Sequence, residues 1–156
     1  YDGIMKEAYI IRDFHKNVYE KIPATQEGIK AIKQLSKDGI KITATAVATA
    51  HQGLFAAKAG AEYVAPYINR IDNMSLDGIS VATDMVKMFK TYSLQSKVLA
   101  ASFRNSQQVL KLFTAGIHSA TISAEVLKHI TNHPLTDMGA KAFYEDYTKT
   151  FETVGI

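Results

Sequence analysis

The sequence predicts an α/β protein built on a parallel sheet. Short runs rich in apolar residues alternate with amphipathic helical patterns, strand then helix, five times over. Successive runs lie about 30 residues or fewer apart, the length of a βαβ crossover. The runs are also short and apolar enough for a sheet covered by helices on one face or both. Alternation alone leaves two architectures open. One is a five-stranded open sheet; the other is part of a (βα)8 barrel, whose units average roughly 30 residues in a domain of ~250.

The elements follow in order. Asp2 to about Lys16 places Ile4, Ala8, Ile11 and Phe14 at helical spacing. Val18-Tyr19-Glu20-Lys21-Ile22 reads as a strand, stopped by Pro23, which has no N–H for a ladder. Thr25 is an expected N-cap for an amphipathic helix from Gln26 to Lys37, and Asp38-Gly39 supplies a left-handed stop. Ile40 to Val47 is the second strand, and Ala50 to Ala59 a small-residue helix closed by Gly60. Glu62 to Ile68 is the third strand, with a long loop expected through Asn69-Arg70-Ile71-Asp72. Asp77-Gly78 opens a helix carrying Ile79, Met85, Val86 and Phe89. Lys97 to Ser102 is a strand, Ser106 to Thr114 a helix, and Ser119 to Ile122 a short strand. Ala124 to Asn132 is a helix, separated by Pro134 from a last helix over about 136–153.

The 156 residues suit one domain, 1–156, with a proper core. Nearly half are apolar, so the chain is globular rather than disordered. A net charge of +3, without Lys/Arg runs interleaved with aromatics, gives no reason to expect nucleic acid and suits an anionic small substrate. The absence of cysteine excludes disulfides, thiolate catalysis and cysteine-held zinc, and fits a cytoplasmic location. No apolar run approaches the ~20 residues that span a bilayer, so no membrane partner is expected. No signal-peptide pattern is visible. The chain opens on Tyr1, directly inside a helical pattern, which reads as something other than a native N-terminus.

Side chains two apart on a strand share a face. That groups Tyr19 with Lys21, Thr43 with Thr45, Tyr63 with Ala65 and Tyr67, and Ala100 with Ser102. In each strand the polar member with chemical potential lies toward the C-terminal end, where barrel enzymes keep their reacting groups.

Lys21-Ile22-Pro23, Thr45-Ala46-Val47, Gly60-Ala61-Glu62-Tyr63-Val64-Ala65-Pro66-Tyr67, Asn69-Arg70-Ile71-Asp72 and Ala100-Ala101-Ser102-Phe103 resemble, in order and without gaps, the small transaldolases and fructose-6-phosphate aldolases. The resemblance covers the whole chain. It implies a (βα)8 TIM barrel of which the chain carries strands 4–8 and the C-terminal helix, with Tyr1 inside the helix after the third strand. On that reading the first three strands, on the order of 60 residues, are missing. With them would go the family's aspartate, asparagine and glutamine or glutamate from those strands.

The resemblance implies a class I aldolase that needs no metal and no cofactor. Lys21 is its Schiff-base lysine. A lysine amine is charged in water at neutral pH, so the chemistry needs dry surroundings and nearby cations to yield a neutral nucleophile. Taken alone, Lys21 would read as a strand lysine reaching for solvent. Thr45 and Tyr67 match the pair that positions a water for proton transfer, although a strand threonine is commonly a β-former and a tyrosine commonly core. Thr43 and Ala65 line the expected substrate pocket. Arg70, Ser102 and Arg104 resemble the phosphate-binding group, where guanidinium forks match phosphate oxygens.

Two departures within the family imply aldolase rather than transaldolase. Transaldolases commonly show Ser-Pro-Phe where this chain has Ala65-Pro66-Tyr67, and asparagine where it has Thr43. Arg104 leans the other way, since aldolase relatives often carry lysine there. The leading expectation is therefore cleavage of fructose 6-phosphate to dihydroxyacetone and glyceraldehyde 3-phosphate, or the reverse. Its alternatives are transfer of a dihydroxyacetone unit between sugar phosphates and, for a chain truly starting at Tyr1, a non-catalytic sugar-phosphate binder or assembly subunit. Five βα units alone would leave an unpaired sheet edge.

Glu125, His129 and His133 recur at i, i+4 and i+8, but the run crosses a helix end at Pro134 and reads as a solvated face rather than a metal site. Glu20 alternates onto the helix-facing side of its strand, where pairing with a helix lysine or Arg12 is the available explanation. Phe143, Tyr144, Tyr147 and Phe151 are too many aromatics for a solvated tail. The resemblance implies that this last helix reaches a neighbouring subunit in a ring-shaped homo-oligomer, a pentamer or paired pentamers forming a decamer.

Overall fold

The structure, a computed structural model, describes residues 1–154; the domain expected over 1–156 runs two residues beyond that range. The chain groups into two compact units, Tyr1–Ile122 and Ser123–Ile156.

The first unit opens with α1 (Asp2–Arg12) and continues β1 (Glu20–Pro23), α2 (Gln26–Lys37), β2 (Ile42–Val47), α3 (Ala50–Ala59) and β3 (Tyr63–Pro66). There follow α4 (Ile68–Asp72), α5 (Gly78–Thr91), β4 (Lys97–Ala100), α6 (Ser106–Thr114) and β5 (Ser119–Ala120). The second unit holds α7 (Ala124–Thr131) and α8 (Pro134–Val154). The long loop expected over Asn69–Asp72 is instead the short helix α4. Ile68 and Asn69 donate their N–H groups to the carbonyls of Ala101 and Ser102, at 2.9 Å each, so the tertiary partner fixes the start of that turn.

Helix starts agree with their local chemistry. Thr25 accepts the Gly28 N–H at 3.0 Å, and Thr49 with Gln52 forms a reciprocal capping box. Asp77 caps α5 through the Ser80 N–H, Asn105 caps α6 through Gln108, and Ser123 caps α7 through Val126. Pro134 takes the first position of α8, where its missing N–H removes no helical bond.

The five strands pair in parallel in their chain order, β1-β2-β3-β4-β5. With every crossover right-handed, a monotonic order keeps the helices on one face and leaves the other free. A doubly wound sheet would reverse direction at a switch point. The sheet is thus a partial TIM-barrel-like α/β arrangement. Ile22, Ala44, Val64 and Val98 are in register across four strands, and all are fully buried under the helices with Ala31, Ile32, Leu35, Ala56 and Met85. The adjoining row, Lys21, Thr43, Tyr63 and Lys97, points to the opposite face.

One irregularity positions the site. Pro66 has no N–H to offer β2, and the β2–β3 register shifts between Ala44 and Val47. Ala46 takes φ 53° inside that bulge, a left-handed conformation unusual for a residue with a Cβ. The ladder resumes where Tyr67 N–H donates to the Val47 carbonyl at 3.2 Å.

In the second unit α8 exposes Phe143, Tyr144 and Tyr147, and the Tyr147 and Phe151 rings lie 4.5 Å apart. Among the described residues no helix is long and apolar enough to cross a membrane.

Candidate active site

The C-terminal ends of β2, β3 and β4 bring several of the expected groups together. Thr45 stands in the bulge of β2, on the face that carries Lys21 and Thr43. Its Oγ1 lies 2.9 Å from the Tyr67 hydroxyl, a hydrogen bond in which either oxygen can donate. Both residues are half-buried, so the pair is sheltered without being sealed from water. Such a hydroxyl pair can hold a water molecule and pass a proton through it. Arg70, one helical turn on, places its guanidinium carbon 4.5 Å from the Tyr67 ring centroid.

Arg70, on α4, and Arg104, on the connection from β4 to α6, both have exposed side chains. The backbone runs those segments side by side: Tyr67 bridges Ala101, and the Ser102 carbonyl accepts the Asn69 N–H. Ser102 has φ 64°, so the turn out of β4 is strained at the residue expected to touch phosphate. Exposed guanidinium groups can grip a phosphate bidentately.

Lys21 is in register with Thr43, and Thr45 with Pro23 two residues further on. The Lys21 side chain is exposed. The dry surroundings that a Schiff-base amine needs are therefore not supplied by the described residues around it. Thr43 is 5 % exposed and Ala65 is 2 % exposed, so both expected pocket residues are covered.

Two pairings here have no local sequence signature. Tyr19 donates its hydroxyl to Glu62 Oε1 at 2.7 Å and packs edge-on to Tyr63 at 5.5 Å. That hydrogen bond, followed by burial, pushes the Tyr19 phenol up to about 12. Gln108 receives the Arg104 N–H on Oε1 at 2.9 Å and donates from Nε2 to Asp72 Oδ2 at 2.7 Å. Its only trace in the sequence is a glutamine three residues after the Asn105 cap, a capping-box spacing that the fold uses differently.

Glu20 forms no ion pair within 4 Å among the described residues. The expected pairing with Arg12 is absent, although both line one small cleft with Lys41. Burial, with help from Glu7, raises the Glu20 carboxyl above the usual range. Glu125, His129 and His133 are exposed, and no group of three possible metal ligands occurs among the described residues.

The family described as Transaldolase/Fructose-6-phosphate aldolase matches residues 1–155. A probable transaldolase of Kosmotoga olearia is 44% identical over 156 residues, all of this chain and 72% of that protein. One from Thermoanaerobacter sp. (strain X514) is 42% identical over 148 residues, 95% of this chain and 68% of its own length. A third, from Clostridium acetobutylicum, is 39% identical over 96% of this chain and 70% of its length. With a match across nearly its whole sequence, the chain belongs to the transaldolase/fructose-6-phosphate aldolase family.

Proposed function

We propose that this protein is a Schiff-base enzyme that transfers a dihydroxyacetone unit between sugar phosphates, as its relatives' description as probable transaldolases suggests. The observation that carries the chemistry is the Thr45–Tyr67 hydroxyl pair on the face of Lys21.

In this reading the neutral Lys21 amine attacks the keto carbon of fructose 6-phosphate, and loss of water leaves an iminium. The bond between carbons three and four then breaks. Its electron pair moves into the iminium to give an enamine, while the C4 hydroxyl loses its proton and glyceraldehyde 3-phosphate departs. Thr45 and Tyr67, through a water, take and return the protons. The enamine carbon attacks the aldehyde of an acceptor sugar phosphate, and hydrolysis of the new iminium frees Lys21. Arg70, Ser102 and Arg104 hold the phosphate, and Thr43 and Ala65 shape the floor.

Here β1–β5 are the fourth to eighth strands of a (βα)8 barrel, and closing the barrel over the polar face is what would dry the amine. The exposed aromatics of α8 fit a contact within a homo-oligomer.

The test is borohydride reduction with fructose 6-phosphate followed by peptide mass mapping, beside turnover with and without erythrose 4-phosphate. A reduced adduct on Lys21 and turnover that depends on the acceptor are expected. An unmodified Lys21 would remove the mechanism. A second reading, simple aldol cleavage, is favoured by the Tyr67 hydroxyl where transaldolases commonly carry phenylalanine; cleavage without an acceptor would establish it.

A further inference from the structure

The two arginines of the phosphate grip sit on separate segments, Arg70 on α4 and Arg104 on the connection from β4 to α6, yet one side-chain bridge joins those segments. Gln108, on the first turn of α6, is 8 % exposed and uses both ends of its amide. Oε1 accepts the backbone N–H of Arg104, and Nε2 donates to Asp72 Oδ2. Asp72 closes α4, two residues after Arg70, and its other oxygen accepts the Gly78 N–H at 2.8 Å, at the first residue of α5. Every polar contact in this bridge has a fixed direction. The Arg104 and Gly78 N–H groups can only donate, so Gln108 must turn its oxygen to one and its nitrogen to Asp72, which must be all acceptor. A close-packed backbone surrounds the joint: a Cβ on Gly78 would come within 2.9 Å of the Ile68 Cα.

We propose that Gln108 and Asp72 are positioning residues that set the spacing of Arg70 and Arg104 and thereby the affinity of the site for a phosphate group. The inference rests on the phosphate reading given above. Neither side chain needs to touch the ligand. Gln108 fixes the backbone of Arg104 directly, and Asp72 anchors the helix that presents Arg70. A guanidinium gains its advantage on phosphate from two aligned bonds, so displacing either segment loses a bidentate contact even when both charges remain.

Charge gives the test its sign. Asp72→Asn removes a negative charge two residues from Arg70, which by plain electrostatics tightens an anion. By the positioning argument it weakens the anion, because in either orientation the new amide sets a donor against a donor, at Gly78 or at Gln108. Gln108→Leu breaks the bridge without changing charge. Combining Asp72→Asn with Gln108→Glu keeps the net charge, reverses the polarity of the central bond and restores all three contacts.

The experiment is calorimetric titration of the full chain with inorganic phosphate and with fructose 6-phosphate at low salt, with circular dichroism and thermal unfolding on each variant. The expected result is about tenfold weaker binding for Asp72→Asn and Gln108→Leu, the scale of one lost charge-assisted bond. The double variant is expected to recover to within about twofold of the unaltered protein. Unchanged or tighter binding by a folded Asp72→Asn, or no recovery in a folded double variant, would overturn the inference while leaving the phosphate site standing. Should Gln108→Leu not fold, Asp72→Asn against the double variant decides. An unaltered protein that binds neither probe would overturn the phosphate reading itself and this inference with it.

Discussion

Replacing Tyr67 by phenylalanine deletes one oxygen and leaves the ring under Arg70. The lost contact is the 2.9 Å hydrogen bond to Thr45. A bond of this kind contributes about 0.5–1.5 kcal/mol net, and more when it leaves a buried group unpaired. Thr45 is half-buried rather than sealed, so water can reach the released hydroxyl. The cost then falls at the low end, about 0.5–1 kcal/mol, or roughly 1–4 °C in Tm for a chain of this size. Positioned proton transfer is worth about a hundredfold or more in rate. Tyr67→Phe should therefore leave a nearly normal urea midpoint beside a turnover reduced by about a hundredfold. A cycle with Thr45→Val isolates the pair, and a coupling of about 0.5–1 kcal/mol in stability is expected. A stability loss above about 3 kcal/mol would mean that the hydroxyl serves the core. Turnover within about twofold of the unaltered protein would take Tyr67 out of the proton path.

Two further outcomes test the fold beneath the site. Leu35, fully buried between α2 and the sheet, should cost about 2–5 kcal/mol when cut to alanine, read as a lowered urea midpoint; a loss below about 1 kcal/mol would contradict its place in the core. Glu20 has a folded-state pKa raised above its ordinary 4.5 by burial and then by Glu7, so the folded chain holds its proton more tightly than the unfolded one. Stability from this group is present below pH 4.5 and is lost as pH rises through the folded value. Glu20→Gln should accordingly raise the urea midpoint at pH 7, with the gain fading toward pH 4 and below; a gain independent of pH would refute the assignment.

The sequence alone determined whatever depends on neighbours along the chain. Thr25, Thr49 and Asn105 cap their own helices, so α2, α3 and α6 begin where the pattern predicts. Period-two alternation grouped Thr45 with Thr43 and Tyr67 with Tyr63, each within its own strand, because the pleat acts residue by residue; that Thr45 and Tyr67 meet depends on β2 running beside β3. Strand lengths were not legible in this way. Val18 and Ile40 have strand-like chemistry, yet β1 begins at Glu20 and β2 at Ile42, because a ladder lasts only while a partner runs beside it. The turn over Asn69–Asp72 is a helix for a similar reason, since its first N–H groups are held by Ala101 and Ser102.

Only the tertiary structure decided the environment of each group. The exposure of Lys21 depends on what faces it across the sheet, which no strand records about itself. Glu20 feels the charge of Glu7 and makes no ion pair with Arg12, because the fold sets which side chains meet. The Gln108–Asp72 bridge joins residues 36 apart, whose hydrogen-bond partners exist only once β3 and β4 lie side by side. Local propensity is written in the order of residues, whereas burial, charge environment and long-range hydrogen bonds arise from the distances that folding creates.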